Sequence, residues 1–254
     1  MLEIKGLEKR FGGLTAVSDL DVRINQGDIM GLIGPNGAGK TTVFNLITGY
    51  IRPTQGEVVM EGQEITSKSP HVIAAKGIAR TFQATNIFAD FTVLQNLILA
   101  CHLKAKAGFF RPIFHSPGSR RKEKEALERS RAILRQIGLE HMADVRAQNL
   151  AHGYKRILGI GIALASEPKL LLLDEPLGGM NGEEVSETVG LISGLWQNGV
   201  TILLIEHNMR AAMGLCKRIV VLNFGRKIAE GSPEEIREND KVIQAYLGSG
   251  DHAH

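Results

Sequence analysis

The strongest chemical pattern in the sequence is a glycine-rich segment, GLIGPNGAGKTT, at residues 31–42. It satisfies the pattern GxxxxGK[ST] and lies between two apolar stretches, IMGLI and TVFNLITG. Backbone amides in such a loop point inward and bind phosphate oxygens, Lys40 places a charge near the β- and γ-phosphates, and Thr41 would hold Mg²⁺. The pattern therefore predicts a nucleotide site formed by Asn36, Gly37, Ala38, Gly39, Lys40, Thr41 and Thr42.

Two adjacent carboxylates, Asp174 and Glu175, form the second chemical pattern. They follow four leucines in LLLLDEP, which predicts a buried strand ending in two acidic side chains. Ligands of open α/β sheets bind at this carboxyl end of the strands. Asp174 is suited to the Mg²⁺ shell, and Glu175 is suited to activating a water for attack on the γ-phosphate. An isolated Asp-Glu pair is usually a solvated turn, but its place after a leucine strand favours a catalytic role.

The elements that must position these residues are strands alternating with helices. The first third contains three strand segments, LTAVSDLDVRI, GDIMGLIG and GEVVMEGQEI, with a single helix after the glycine-rich turn. After Pro168 come three more, KLLLLDEP, TILLIEHN and RIVVLNFGRKIAEG, separated by helical segments such as GEEVSETVGLISGLWQNG. The tail begins with SPEE, which predicts a helix capped by Ser232 and Glu235. This order predicts a mainly parallel sheet covered on both faces, with a β-rich N-terminal part.

A helical insertion at about residues 84–165 interrupts this α/β core, which comprises about 1–83 and 166–254. FADFTVLQNLILACHLKAK and SRRKEKEALERSRAILRQIGL are predicted helices, the second with one face formed by Ala126, Ser130, Ile133, Leu134 and Ile137. Between them, GFFRPIFHSPGS is predicted to be a loop. Its Phe109, Phe110 and Phe114 are either buried anchors, which we favour, or a partner-binding patch.

Composition narrows the class of protein. The 254 residues, 43% of them hydrophobic, are enough for one large core or a core with a smaller lobe. A formal charge of +3 gives no strong nucleic-acid footprint, so we expect no nucleic-acid partner. Cys101 and Cys216 lie far apart, which indicates two buried apolar side chains in a reducing compartment. The N-terminus lacks the apolar run of a signal peptide, and apolar runs fall short of the roughly 20 residues that span a bilayer. Work at a membrane would therefore require a partner.

Three further residues complete a resemblance to the ATP-binding subunits of ABC transporters. Gln83 in RTFQ matches the family's Q-loop glutamine, His207 in LLIEHN its switch histidine, and Phe11 in KRFGG the aromatic residue that stacks on adenine. Taken alone, each has a structural explanation: a polar strand end, a satisfied core histidine and a core aromatic. Five elements in the family's order over nearly the whole chain favour the family. The resemblance implies a single ABC ATPase domain over residues 1–254, in which Gln83 and His207 take part in catalysis and Gln83 also contacts Mg²⁺.

The segment LAHGY at residues 150–154 aligns by position with the family's LSGGQ signature. In the family this signature begins a helix and contacts the γ-phosphate bound to the opposite subunit. Here Ala151 replaces the serine, His152 a glycine and Tyr154 the glutamine, while Gly153 is retained. We expect Ala151, His152 and Gly153 to contact ATP through backbone amides, because a helix N-terminus binds anions without a hydroxyl.

A narrower resemblance, over residues 1 to about 248, is to one of the two ATPase subunits of bacterial branched-chain amino acid importers. It rests on GIARTFQATNIFADFTVLQNLILA, FFRPIFHSPGSRR and EGSPEEIRENDKVIQAYLG, and on Asn181 in GGMNG, where many ABC ATPases have aspartate. It implies ATP and Mg²⁺ as cofactors, and a peripheral location on the cytoplasmic face of the inner membrane. The implied partners are a second ABC ATPase, the permease subunits and a periplasmic or extracellular solute-binding protein. We expect the second ATPase to be a different chain, because two copies of this one would both carry the altered LAHGY segment; a homodimer is the alternative.

Three alternatives remain open from the sequence. Relatives that import urea, other amino acids or organic acids, and those that export, share the same plan. A non-transport ABC ATPase would normally carry two cassettes in tandem or a long coiled-coil insertion, and this chain has neither. A P-loop kinase of small metabolites would leave Gln83, His207 and LAHGY unexplained.

Overall fold

The structure, a computed structural model, describes residues 1–81, 87–106 and 117–247. In chain order its strands are β1 (Leu2–Phe11), β2 (Leu14–Ile24), β3 (Ile29–Ile33), β4 (Gln55–Met60), β5 (Gln63–Glu64), β6 (Ile78–Arg80), β7 (Leu170–Asp174), β8 (Thr201–Ile205), β9 (Arg218–Asn223) and β10 (Arg226–Gly231). Its helices are α1 (Lys40–Ile47), α2 (Pro70–Ala75), α3 (Val93–Lys106), α4 (Pro117–Gln136), α5 (His152–Leu164), α6 (Gly182–Gln197), α7 (Met209–Leu215), α8 (Pro233–Arg237) and α9 (Asp240–Leu247). Short 3-10 helices lie at Glu140–Met142 and Ala147–Asn149.

A six-stranded sheet in the order β10-β9-β3-β8-β7-β6 forms the centre of the fold. β6, β7, β8, β3 and β9 run parallel, and only the edge strand β10 pairs antiparallel. Every residue of β3, β7 and β8 is buried, as their unbroken apolar sequences require when helices cover both faces. The predicted mainly parallel sheet is confirmed.

The register of the three central strands aligns their carboxyl ends. Ile205 of β8 pairs with Leu32 of β3 on one side and with Asp174 of β7 on the other. The residues that follow these strands therefore emerge at one level of the same edge. This alignment brings the glycine-rich loop, Glu175 and His207 to one place although the sequence separates them widely.

A second, antiparallel sheet in the order β2-β1-β4-β5 lies on the far side of α1. Its apolar residues, including Leu7 and Leu20, form one cluster with Phe44 of α1 and with Met30 and Leu32 of β3. The neighbouring residues Ile29 and Ile33 join the cluster on the opposite face, because successive side chains of a strand alternate. The helix that follows the glycine-rich loop is thus buried between two sheets.

The helical insertion packs against that opposite face of the parallel sheet. The predicted face of α4 is buried, and Ser130 at its centre donates a hydrogen bond to the Ala126 carbonyl at 2.7 Å. Cys101 and Cys216 are buried as expected. Phe109, Phe110 and Phe114 lie outside the described residues. In the described part of the chain, no helix combines the length and apolarity needed to cross a bilayer.

Three expectations about local structure were incomplete or wrong. The first third was predicted to contain a single helix but contains a second one, α2. Ser69 precedes this helix and Pro70 begins it, which is a usual signal for a helix start. α4 begins at Pro117, within the segment predicted to be a loop. The segment RIVVLNFGRKIAEG forms two strands, β9 and β10, joined by a tight turn. The predicted capping box of Ser232 and Glu235 is confirmed.

Candidate functional site

A cavity of about 470 Å³ lies at the carboxyl edge of the parallel sheet. It is bounded by the β1–β2 turn, the glycine-rich loop, the start of α1, the residue after β7 and the β9–β10 turn. Its lining residues are Phe11, Leu14, Thr15, Ala16, Asn36, Gly37, Ala38, Gly39, Lys40, Thr41, Thr42, Glu175 and Phe224. The structure therefore places the whole predicted loop, Phe11 and Glu175 around one space.

The fold of the glycine-rich loop depends on two of its glycines. Gly39 has φ 102°, and a Cβ there would lie 2.4 Å from the carbonyl oxygen of Ala16. A Cβ on Gly34 would lie 2.1 Å from the carbonyl oxygen of Leu222. Only glycine permits both backbone approaches. Gly39 is also the N-cap of α1 and provides no side chain to cover the first amides of the helix, which stay available to an anion.

Lys40 lies folded over the loop. Its buried ammonium donates hydrogen bonds to the carbonyl oxygens of Gly34 at 2.7 Å and Pro35 at 2.9 Å. Burial lowers the pKa of Lys40, although the nearby carboxylates of Glu175 and Asp174 act in the opposite direction. A cation held among neutral carbonyl groups at the cavity wall is well placed to bind phosphate oxygens.

Asp174 is held by an arginine that the sequence analysis did not select. Arg80, the last residue of β6, donates from Nη2 to Asp174 Oδ2 at 2.7 Å and from Nη1 to Asn45 Oδ1 at 2.6 Å. Both charged side chains are almost completely buried, with 6% and 2% exposed. The backbone N–H of Asp174 donates to the Thr81 hydroxyl at 3.1 Å. The bond from Arg80 orients the carboxylate, and the bond to Thr81 holds the backbone of the strand end.

The second carboxylate oxygen of Asp174 differs from the first in its surroundings. Oδ1 is buried and accepts no hydrogen bond from the residues that the structure describes. A buried anionic oxygen without a partner is costly, and hard cations such as Mg²⁺ bind such oxygens. The donor set of this position therefore fits a magnesium ion.

Glu175 has an unusual backbone conformation. Its φ is 47°, in the left-handed region that non-glycine residues rarely adopt, and its N–H donates to the Ile205 carbonyl at 3.0 Å. His207 Nδ1 lies 3.9 Å from Glu175 Oε2, and about half of the His207 side chain is exposed. Strained residues occur preferentially at functional sites. The pair combines a carboxylate at the cavity wall with an accessible imidazole.

Glu206 joins the two segments that carry this pair. Its buried carboxylate accepts hydrogen bonds from the backbone N–H of Leu177 at 3.0 Å and of Asn208 at 3.4 Å. Burial raises the pKa of Glu206, and these hydrogen bonds oppose that effect. The side chain therefore ties the segment after β7 to the segment after β8, next to Glu175 and His207.

Comparisons with known proteins agree with this geometry. A family model described as "ABC transporter" matches residues 17–178, well over half of the chain. The chain belongs to the ABC transporter ATP-binding family. A second model, described as "Branched-chain amino acid ATP-binding cassette transporter", matches residues 226–252. Membership confirms the predicted fold and identifies the chain as an ABC ATPase.

Curated relatives match over the whole length of this ABC cassette. The chain is 44% identical to the high-affinity branched-chain amino acid transport ATP-binding protein LivG of Escherichia coli, and 42% identical to BraF of Pseudomonas aeruginosa, with 98% of each chain covered. A crystal structure of the ADP conformation of an ABC transporter cassette matches with a TM-score of 0.85 and 29% identity, covering 98% of both chains.

The segment LAHGY, predicted to correspond to the family signature, is not among the described residues that line the cavity. Ala151 is the N-cap of α5 and His152 its first residue, both exposed, and neither is among the described residues that line the cavity. The segment packs instead on the residues after Glu175: the Arg156 guanidinium donates to the Glu175 carbonyl, and a Cβ on Gly153 would lie 2.8 Å from Glu184 Oε1. Asn181 caps α6 by accepting from the N–H groups of Glu183 and Glu184, both at 3.0 Å.

Several site residues were not anticipated, and Gln83 lies outside the described residues. No local sequence pattern distinguishes Arg80 and Arg156 from the other basic residues. Their importance follows only from their partners in the structure, the Asp174 carboxylate and the Glu175 carbonyl. Glu206 stands between the strand TILLI and His207, where no motif distinguishes it. Phe224 lies in the predicted strand segment RIVVLNFGRKIAEG, but the structure places it in the turn between β9 and β10. An asparagine and a glycine flank Phe224 in NFG, and these residue types favour a turn.

Proposed function

We propose that this ABC cassette hydrolyses ATP, with Mg²⁺, to power import of branched-chain or related amino acids. The C-terminal match at residues 226–252 and the printed names of LivG and BraF support this substrate class. A relative in Haemophilus influenzae named as a lipopolysaccharide export protein is 33% identical, against 42–44% for these two amino acid transport proteins. The difference favours import of amino acids over export.

The observation that carries the proposal is the shared cavity of the phosphate loop, Phe11 and Glu175. Phe11 would stack on adenine, and the amides of residues 36–42 with Lys40 would bind the phosphates. The resting contacts of Lys40 with two carbonyl oxygens show that its ammonium reaches across the loop. Phosphate oxygens would replace these neutral acceptors and give stronger, charge-assisted hydrogen bonds.

Magnesium fits the site, as judged from the unpartnered Oδ1 of Asp174. Asp174 and Thr41 would hold the ion, with Gln83 as a further contact. When bound, Mg²⁺ neutralises charge on the β- and γ-phosphates. Arg80 keeps the other carboxylate oxygen engaged, so that Oδ1 stays directed away from the arginine.

Glu175 acts as the general base in this proposal. Its carboxylate lines the cavity and would accept a proton from the water that attacks the γ-phosphorus. His207, 3.9 Å from that carboxylate, would contact the γ-phosphate and orient the water. The hydrogen bond from the Glu175 N–H to the Ile205 carbonyl holds the backbone at this position, which would limit the reorganisation needed at the moment of proton transfer.

The exposed start of α5 favours pairing with a second, different ABC ATPase. Because Ala151, His152 and Gly153 lie outside the cavity of their own chain, they could complete only a site on a partner. Two copies of this chain would both lack the serine hydroxyl and the glutamine at that position. A partner with an intact signature would complete the site that contains Lys40 and Glu175. We place this pair beneath permease subunits on the cytoplasmic face of the membrane, supplied by an external solute-binding protein.

The test places Glu→Gln in one ATPase at a time within the whole transporter, in a strain lacking the chromosomal copies. Glu175→Gln should abolish uptake of labelled leucine, isoleucine and valine and lower ATP turnover by roughly 10²- to 10⁴-fold, the usual contribution of a general base. The equivalent change in the partner should have a smaller effect. Uptake that survives Glu175→Gln but stops with the partner's change would contradict the proposed asymmetry.

A further inference from the structure

The side chain of Phe224 is exposed to solvent, so packing in the core does not explain its position. It is 85% exposed, the highest value among the exposed large hydrophobic residues of the described chain. Its φ is 46°, in the left-handed region, and Gly225 follows at φ 76°. A two-residue hairpin turn with both residues at positive φ favours Asn, Asp or Gly at its first position, and a bulky residue there is strained. The turn thus holds an aromatic side chain in water on an unfavourable backbone.

The turn is attached to the phosphate loop. The N–H of Gly225 donates to the carbonyl oxygen of Ala38 at 3.0 Å, and the carbonyl oxygen of Gly225 accepts from the N–H of Ser18 at 2.9 Å. A Cβ on Gly225 would lie 2.7 Å from the Ala16 carbonyl oxygen, so the turn also packs closely on β2. The position of Phe224 relative to the phosphate loop is therefore fixed, although its ring touches little of the protein.

The ring of Phe224 lines the same cavity as Phe11 and Lys40. Phe11 is 48% exposed, and the ammonium of Lys9 lies 4.9 Å from the centre of its ring. The cavity wall thus offers two accessible aromatic rings beside one phosphate-binding loop. Single exposed apolar residues are ordinary on protein surfaces. Phe224 differs from such residues in three ways. Its backbone is strained, its turn is hydrogen-bonded to the phosphate loop, and it lines the cavity.

We propose that Phe224 is a second aromatic contact for the nucleoside part of ATP, an inference that rests on the proposed function of the cavity. Aromatic rings bind bases through their π-faces, largely independently of base identity, and contact with the nucleoside would shield the exposed ring from water. The strain of the turn is then explained as the cost of presenting the ring at a fixed distance from the phosphates. Phe224 is a binding residue in this account and takes no part in proton transfer.

The test compares nucleotides with inorganic tripolyphosphate, which has the phosphates and no base, by calorimetry on the purified full-length chain. Phe224→Ala should weaken ATP and ADP binding about 5-fold or more, and GTP binding similarly, because one lost base–ring contact has an effect of at least this size. The affinity of the Phe224→Ala variant for tripolyphosphate should equal that of the wild type. Phe224→Asn removes the ring but suits the left-handed turn, so it separates loss of the ring from a change in the backbone. Phe224→Tyr should bind ATP as the wild type does.

Two control variants, Leu247→Ala and Lys40→Ala, separate the role of Phe224 from the proposed function of the cavity. Leu247→Ala removes another highly exposed apolar side chain, 75% exposed, that is not among the cavity-lining residues, and should leave all affinities unchanged. Lys40→Ala should weaken ATP and tripolyphosphate alike; if it weakens neither, the proposed function fails. If Lys40→Ala has its effect while Phe224→Asn binds ATP normally, only the inference about Phe224 is overturned. Normal ATP affinity with weakened association of cassettes would likewise overturn it and assign the ring to a protein interface.

Discussion

The buried pair of Arg80 and Asp174 allows a quantitative prediction. Arg80→Met keeps the length and apolar stem of the side chain but leaves the Asp174 carboxylate, 2% exposed, without its cationic partner. Breaking a buried ion pair from one side costs roughly 3–5 kcal/mol, because the remaining charge cannot be rehydrated. For a chain of 254 residues this corresponds to a fall in Tm of roughly 6–20 °C.

Urea unfolding followed by fluorescence measures this loss. The single tryptophan, Trp196, is anchored by a hydrogen bond from its indole to the Gly27 carbonyl at 2.7 Å and reports global unfolding from α6. Arg121→Met is the matched control, because Arg121 bonds Glu125 at 2.9 Å with 84% of its side chain exposed. An exposed pair of this kind contributes about 0.3–0.5 kcal/mol at most.

A double-mutant cycle isolates the pair itself. Asp174→Asn alone leaves Arg80 buried without a carboxylate, and Arg80→Met/Asp174→Asn removes both charges. We expect the double variant to be more stable than the sum of the single effects predicts, by about 2 kcal/mol. Two results would refute the reasoning: a loss below about 1 kcal/mol for Arg80→Met, or single effects that add within about 0.5 kcal/mol.

Three further predictions follow from neighbouring contacts. Gly39→Ala should lower the free energy of unfolding by roughly 1–3 kcal/mol in urea, because φ 102° is strained for alanine and its Cβ would meet the Ala16 carbonyl oxygen; unchanged stability would contradict the loop geometry. His207→Ala should slow ATP turnover of the assembled transporter by about 10²-fold while ATP affinity stays unchanged by calorimetry, since the imidazole lies beside Glu175 and is not among the described residues lining the loop cavity; equal loss of ATP and ADP affinity would indicate a structural histidine. Burial raises the pKa of Glu206 above its ordinary value of 4.5, so the folded protein binds this proton more tightly than the unfolded chain does. The protein therefore loses stability as the pH rises from the pKa of the unfolded chain through the higher pKa of the folded protein. Glu206→Gln should remove that decline, and urea midpoints whose difference from the wild type is the same at every pH would contradict it.

Local patterns made most of the fold predictable. The phosphate loop, the leucine strand before Asp174 and the capping box at Ser232 each lie within about a dozen consecutive residues, so short-range stereochemistry determines them. The alternation of apolar strands with helices indicated the parallel sheet, because both faces of such a sheet must be covered. α2 has a similar local signal in Ser69 and Pro70, but its six residues are too few to show an apolar helical period.

Contacts between distant residues could not be predicted in this way. Arg80 and Asp174 are 94 residues apart, and the sequence contains 30 basic and 27 acidic residues from which to choose a pair. The choice depends on the pairing of β6 with β7, which places Arg80 opposite Leu172, two residues before the carboxylate. Strand order is a property of the whole sheet, and no local pattern encodes it.

Strand order also explains why Glu206 matters to the site. β8 lies between β3 and β7, so the segment after β8 occupies the gap between the phosphate loop and Glu175. The Glu206 carboxylate accepts hydrogen bonds from the N–H groups of Leu177 and Asn208, and so connects the segment that follows Glu175 to the segment that contains His207. Glutamine at this position would have only one oxygen to accept a hydrogen bond. Its NH₂ group would face the N–H group of either Leu177 or Asn208, and two donors cannot bond each other. A group that is not among the described residues lining the cavity, and that belongs to no recognised motif, therefore joins the segments that carry Glu175 and His207.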